Sequence, residues 1–227
     1  MRELRVVLIG GTSNVGKSTV AQLVAETLGF ECLSTDALAR HPGRPWRTVD
    51  REVPAHVAEH YASLSVDELI TSVCAHYDRL RPRVEELITA RAADDRGGAG
   101  LVLEGSALWP THIAGLRTPH TAAVWLTADA SLIRARIHAA GHYETATGGE
   151  RELMDKFLAR SERYQALLTD ALGGPGPALI DAGGGRSAAE AGSGRSAAEL
   201  AAAVLAAVDA QTPQTLQTPQ RRPSTDR

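Results

Sequence analysis

Gly10-Gly11-Thr12-Ser13-Asn14-Val15-Gly16-Lys17-Ser18-Thr19 holds, from Gly11 to Ser18, two glycines, a lysine and a hydroxyl at the spacing G-x-x-x-x-G-K-[ST]. At average residue usage a chain of this length meets that pattern by chance on the order of once in a hundred. Its surroundings make accident rarer still. Residues 4–10, LRVVLIG, are rich in β-branched side chains and end on glycine, as a strand buried on both faces does. Beyond the loop, Val20, Leu23, Val24 and Leu28 recur at helical spacing before Gly29. A glycine loop between a buried strand and an amphipathic helix lets consecutive backbone N–H groups converge at the positive end of the helix, where phosphate oxygens bind. Gly11, Thr12, Ser13, Asn14, Val15, Gly16, Lys17, Ser18 and Thr19 are therefore candidate nucleotide contacts. Lys17 would place its charge on the β- and γ-phosphates from a solvent-accessible loop, and the Ser18 hydroxyl would ligate Mg²⁺.

The same alternation continues along the chain. Short apolar runs at 31–34, 101–104 (LVLE), 122–126 (AAVWL) and 178–181 read as four more strands. Between them Ser65 and Glu68 form a capping-box pattern at the head of a helix from Val66, which Pro82 is expected to split, with a second helix reaching about Asp94. Further helices are expected at 130–139 and 153–172. Strands separated by helices at these intervals predict an α/β fold, a doubly wound and mostly parallel five-stranded sheet. One domain would span residues 1–182, with the polar segment at about 138–152 acting as a helical lid. GRSAAE occurs at Gly185 and again at Gly194, each copy carrying Ser-x-x-Glu, so 183–195 reads as a flexible linker and 196–210 as a C-terminal helix. From 211 to 227 QTPQ repeats amid Thr, Pro and Arg, the composition of a disordered tail.

Composition narrows the function classes. A net charge of -3 and a pI near 6.2 give no global reason to bind nucleic acid or an anionic membrane, so any phosphate site must be local. No apolar run reaches the length of about 18 residues that spans a bilayer, and the apolar stretch after the charged N-terminus is too short for a signal core. With only Cys32 and Cys74, these features predict a reduced, cytoplasmic protein. The pairs His56/His60 and His138/His142 have i,i+4 spacing but enclose no HExxH glutamate, so exposed helical histidines are the expectation.

Further chemistry gathers at strand ends. Asp36 follows the second strand, and ligands in open α/β sheets bind beyond such ends. There a carboxylate can take the proton of an attacking hydroxyl or position it in line with the γ-phosphate. A helix cap fits the local pattern equally; the crevice shared with the glycine loop favours the catalyst. Glu104 ends LVLE, where it could hold the metal through water, orient the nucleophile, or pair with an arginine at the sheet edge. Arg134 and Arg136, then Arg151, Arg160 and Arg163, flank the polar segment as lid arginines would, and Arg160 and Arg163, one turn apart, could grip one anion together. Arg79, Arg81 and Arg83 cluster at Pro82; with Arg44 and Arg47 they are the groups a strongly anionic substrate would recruit. Trp46 and Trp109 either wall an acceptor pocket or pack in the core.

At GGTSNVGKST, STD (34–36) and LVLEGS (101–106) the sequence resembles the P-loop small-molecule kinases, and most closely the 2-phosphoglycerate kinase group; shikimate kinase and chloramphenicol phosphotransferase look more distant. The resemblance covers about residues 4–172 and implies a nucleoside-monophosphate-kinase-like fold, ATP or GTP with Mg²⁺, and transfer of a γ-phosphoryl group to the hydroxyl of a small molecule: a nucleoside, an antibiotic-type metabolite or a sugar acid. It implies the acceptor role for Asp36 and a nucleotide-base or phosphate role for Arg136. The segment 139–150 lacks the arginine that such lids often carry, which leaves Arg151 as the substitute. Lys17, Asp36, Glu104 and Arg160 form the expected catalytic set, and Asp36, Arg44, Arg79 and Arg163 the acceptor contacts, in a monomer or homodimer with no nucleic-acid partner. The competing class is a nucleotide-binding switch or assembly factor that hydrolyses slowly without an acceptor.

Overall fold

Val6–Gly11 (β1) is wholly buried, and its side chains alternate between two cores. Val7 and Ile9 join one apolar cluster, Val6 and Leu8 another, as the two-residue period of a strand requires. In the computed structural model, which describes residues 4–39, 42–48, 52–94, 97–174, 178–183 and 194–211, β1 is the centre of a five-stranded sheet. The other strands are Glu31–Ser34 (β2), Leu101–Glu104 (β3), Thr121–Thr127 (β4) and Leu179–Asp181 (β5). All pairs are parallel, in the order β2-β3-β1-β4-β5. Chain order reverses at β1, which has β3 on one side and β4 on the other, so a crevice opens at its C-terminal end.

Seven helices cover the sheet among the described residues: Lys17–Leu28 (α1), Ala55–Ser63 (α2), Val66–Ala92 (α3), Pro110–Leu116 (α4), Ala130–Ala140 (α5), Gly148–Ala171 (α6) and Ala197–Gln211 (α7). Val20 and Val24 of α1 and Val204 and Val208 of α7 bury one face with Val102 and Val124. On the other, Val84 and Ile88 of α3 meet Leu101 and Leu103, while Val73 meets Trp125 of β4 and Tyr164 and Leu168 of α6. No helix of the described residues is long and apolar enough to cross a membrane.

Three helix boundaries depart from the sequence reading. Pro82 does not split α3, which runs unbroken for 27 residues. The buried stripe Leu69, Val73, Leu80, Val84, Ile88 and Ala92 continues through it, and Pro82 and Asp78 are exposed, where water can serve the carbonyl that the imide nitrogen leaves over. Helix α6 begins at Gly148 rather than 153, because Thr147 and Glu150 close a capping box. Gln211 belongs to α7 and not to a tail; its side-chain amide pairs with the N–H and C=O of Ala123 on β4 at 3.1 Å each. The second GRSAAE copy does start that helix, Ser196 and Glu199 exchanging hydrogen bonds. The first copy and residues 212–227 lie outside the described residues.

Gly10 shows how tightly the sheet end is built. The indole of Trp125 lies against it, held by an Nε1–H bond to the Leu108 carbonyl at 2.8 Å, and a Cβ on Gly10 would come within 2.2 Å of that ring. Gly10→Ala should therefore displace the indole and break its hydrogen bond, costing about 2–4 kcal/mol. Thermal denaturation should show the melting temperature lowered by roughly 5–15 °C. An unchanged midpoint would refute the close approach.

Candidate active site

The loop between β1 and α1 is built to face an anion. Gly11, Asn14 and Gly16 all have positive φ, a backbone in which successive N–H groups converge. Gly16 is the N-cap of α1 in the left-handed region, and no side chain caps that terminus. The first-turn N–H groups of a 12-residue helix are thus left for a ligand. A Cβ at Gly16 would meet only Arg136, 3.8 Å away, so its φ of 100° rather than crowding calls for glycine. Two side chains anchor the loop: the Thr12 hydroxyl donates to the Ser161 carbonyl of α6 at 3.0 Å, and Ser106 donates to the Gly11 carbonyl at 2.9 Å. Val15 is fully buried in the core, so only its backbone can meet a phosphate.

Lys17 is not on a solvent-accessible loop. It opens α1, is 8% exposed, and donates from Nζ to the Thr12 carbonyl at 2.6 Å. Burial pushes its pKa down, while the carboxylates of Glu104 and Asp36 oppose that shift and Arg44 and Arg160 add to it. Next to it the Ser18 hydroxyl donates to Glu104 Oε1 at 3.1 Å. Glu104 is buried at the end of β3, in register with Ile9 of β1 and Ser34 of β2. Its carboxylate therefore closes on the loop's hydroxyl and on no arginine among the described residues.

Asp36 lies in a single 3-10 turn, Thr35–Ala37, that follows β2. The cap of this turn is Ser34, whose Oγ accepts from the Asp36 N–H at 3.3 Å, which leaves the exposed Asp36 carboxylate unneeded for capping. It lines a cavity of about 900 Å³ together with Lys17, Ser18 and Glu104. Strand order explains the meeting: β2, β3 and β1 are consecutive neighbours, and their C-terminal ends deliver Asp36, Glu104 and the glycine loop to one edge of the crevice. A sheet of this order with a phosphate-type loop after its central strand decides the fold. The chain has a parallel α/β fold with its phosphate-type loop at the crevice.

No family model matches the chain, and no curated protein matches it. Among solved structures, an uncharacterized protein from Eubacterium ventriosum ATCC 27560 aligns with a TM-score of 0.50 at 12% identity, over 92% of this chain and 100% of that one. A gluconokinase from Sinorhizobium meliloti 1021 aligns at 18% identity and TM-score 0.43, over 92% of this chain and 94% of its own. Shikimate kinase from Bacteroides thetaiotaomicron does so at 15% and 0.43, over 89% and 95%. At such identities the likeness extends to the fold alone.

Around this crevice the arginines separate sharply. Arg160 of α6 and Arg136 of α5 line the cavity, the latter donating to the Asn14 carbonyl at 3.1 Å, and Arg44 lines it from the loop after the Asp36 turn. Arg163 does not join Arg160. The buried stripe of α6 centres on Phe157, Tyr164 and Leu168; Arg160 sits at its edge, and Arg163, about 60° further round, is exposed and away from the cavity. Arg79 and Arg134 are likewise exposed and outside it. Arg151 donates to the carbonyls of Tyr143 and Glu144 and lies over the Tyr143 ring, so it holds its own segment together. None of residues 138–152 lines the main cavity. Trp46 packs edge-on against Phe157 in the core and Trp109 against Tyr164, neither walling the site.

Three titratable lining residues were not assigned to the site by the sequence reading. Arg195, placed there in a linker, reaches the cavity because its N–H donates to the Ala182 carbonyl beyond β5 at 2.8 Å. Its signal was present in the Ser-x-x-Glu helix start that follows it. His56 is exposed on α2, as the sequence reading expected, and it also lines the cavity. Tyr77 of α3 also lines it; burial pushes its hydroxyl up to about 12, so at neutral pH it is a proton-bearing donor. No sequence pattern marks a tyrosine for that role.

Proposed function

We propose that the chain is an ATP-dependent kinase that transfers the γ-phosphoryl group to a hydroxyl of a small molecule. The observation that carries this reading is the convergence of Lys17, the Ser18–Glu104 pair and Asp36 in one cavity. A nucleotide-binding switch needs the first two and has no use for a carboxylate held across from them. The oxygen donors of Ser18 and Glu104 suit Mg²⁺, which takes few protein ligands and completes its shell with phosphates and water. When bound, the ion would neutralise charge that develops on the transferred group.

In this scheme the glycine loop and the start of α1 hold the phosphates, and Lys17 meets the β- and γ-oxygens. Arg160 is near enough to Lys17 to lower its pKa and flanks the group in transfer from the acceptor side. Asp36 takes the proton of the acceptor hydroxyl as its oxygen bonds to the γ-phosphorus and the bond to the leaving β-phosphate oxygen breaks. Glu104 keeps the Ser18 hydroxyl oriented. Arg136 and Arg195 stand where the nucleotide's outer part would lie, with GTP as the alternative donor. The free cysteines Cys32 and Cys74 fit a reduced, cytoplasmic setting. The motif resemblance to the 2-phosphoglycerate kinase group supports including sugar acids among the acceptors, beside nucleosides and antibiotic-type metabolites. The deciding assay measures ATP loss with and without a panel of hydroxylated acceptors, with mass spectrometry for a gain of one phosphate. Acceptor-dependent turnover is expected; acceptor-independent hydrolysis across the panel would favour the switch.

A further inference from the structure

Residues 42–48, PGRPWRT, form an irregular strap, of which Pro42, Gly43 and Arg44 line the cavity. Two prolines and a glycine keep it out of helix and sheet, so other contacts have to hold it in place. Trp46 is its anchor, 2% exposed and edge-on to the Phe157 ring of α6, with centroids 4.9 Å apart. Arg47 also reaches Glu150 at the head of α6, at 3.6 Å, but that pair is too exposed to hold much. The stronger tie is Tyr61 of α2, fully buried, whose hydroxyl donates to the Gly43 carbonyl at 3.2 Å. The end of α2 is in turn fixed to α6, where Lys156 donates to the carbonyls of Ala62 and Leu64 at 2.9 and 3.0 Å. Strap, α2 and α6 thus meet along one buried seam of Trp46, Tyr61 and Phe157.

Arg160 lies on the same seam. It is 6% exposed, rests on the Phe157 ring at 4.6 Å, and donates from Nη1 to the Tyr61 hydroxyl at 3.1 Å. A phenol has one proton and here spends it on Gly43, so Arg160 takes the oxygen's lone pair and both capacities are used at once. Tyr61 stays neutral: burial pushes its pKa up, although the Arg160 cation opposes that shift. An aromatic face sets how close a guanidinium lies but leaves its plane free to turn, whereas a hydrogen bond is directional. The Nε of Arg160 has no hydrogen-bond partner among the described residues, so the bond to Tyr61 is what fixes the turn.

We propose that Tyr61 is a positioning residue: by bonding Gly43 and Arg160 at once, it aims Arg160 at the group in transfer only while the strap 42–48 is seated. The inference rests on the kinase reading above, in which Arg160 flanks that group, and adds the device that aims it. Without the phenol oxygen the guanidinium keeps its ring and loses its direction. The phosphate loop is held by other bonds, Thr12 to Ser161 and Ser106 to Gly11, and should not register the change.

Tyr61→Phe, made in the full chain, keeps the ring in its buried place and deletes both hydrogen bonds. With an acceptor that turns over in the panel, kcat should fall about tenfold, as misaiming of a catalytic group does. The rise in melting temperature produced by a non-hydrolysable ATP analogue and Mg²⁺ should be unchanged. In an Arg160→Met background the same substitution should cost no more than about twofold, because nothing is left to aim. Limited trypsin digestion, read by mass spectrometry, follows the strap without any substrate: cleavage after Arg47 should quicken roughly threefold in Tyr61→Phe, while Pro45 shields the bond after Arg44. The proposal is overturned, and the kinase reading stands, if kcat of Tyr61→Phe stays within about twofold of wild type or if its loss persists in full beside Arg160→Met. An unchanged rate of cleavage after Arg47 overturns it as well. Should Arg160→Met not fold, a loss shared between kcat and ATP binding, as general loosening would give, is the overturning result. Should Tyr61→Phe not fold, Trp46→Phe loosens the strap from its anchor instead and must lower kcat with the ATP-analogue response intact. If the wild type shows no acceptor-dependent turnover, the kinase reading falls and the proposal with it.

Discussion

Lys17→Met should lower phosphotransfer by about 10³-fold while the ligand-free protein stays folded, because the lost charge matters most when the γ-phosphate oxygens gain charge in the transition state. The side chain is buried, so the substitution tests more than a surface cation. In the resting protein two effects oppose each other. Removing a desolvated ammonium relieves a cost, and Glu104 and Asp36 lose the cation that faces them. Methionine keeps the straight apolar stem and fills most of the volume, leaving the Thr12 carbonyl without the Nζ donor as the one lost hydrogen bond. The melting temperature without ligand should accordingly stay within a few degrees of wild type, and the rise produced by ATP and Mg²⁺ should shrink. A variant that keeps activity within tenfold would remove Lys17 from the reaction; one that does not fold would show that its buried contact with the loop is structural.

That burial was not legible in the pattern G-x-x-x-x-G-K-[ST], which fixes spacing along the chain and says nothing of what later closes over it. Local chemistry did carry far: β1, the loop, α1 and the end of LVLE were readable because strand period, glycine and helix period each act within a few residues. Glu104 could be placed at the loop because parallel strands end at the same level. The misreadings have a common physical origin. Pro82 breaks helices by a local rule, and here a buried stripe on the opposite face outweighs it. Arg160 and Arg163 are neighbours by helical spacing, yet the edge of a packed stripe divides buried from exposed within 60° or so. Arg195 directly precedes the Ser-x-x-Glu start of α7, yet it reaches the site only because the chain beyond β5 returns to bond Ala182. Contacts of this kind are set by how the chain packs, and no periodicity in the sequence announces them.

Asp36→Asn should leave binding of ATP and Mg²⁺ intact, since the glycine loop, Ser18 and Glu104 are untouched, and should reduce kcat at saturating acceptor by about 10²- to 10⁴-fold. The substitution keeps size and shape and removes the capacity to accept a proton. Its structural cost is small, because Ser34 caps the 3-10 turn and the Asp36 side chain is exposed. Three outcomes separate three roles. Loss confined to kcat identifies the general base, the group that receives the proton as the acceptor oxygen attacks. A smaller loss expressed mainly as a raised acceptor KM identifies a residue that orients the hydroxyl, since the asparagine oxygen can still accept its hydrogen bond. Wild-type kcat and KM would take Asp36 out of the site altogether. The first outcome is expected: Tyr77, a proton-bearing donor near Asp36, cannot accept the departing proton, and Glu104 is occupied by the Ser18 hydroxyl, which leaves Asp36 as the carboxylate free to take it.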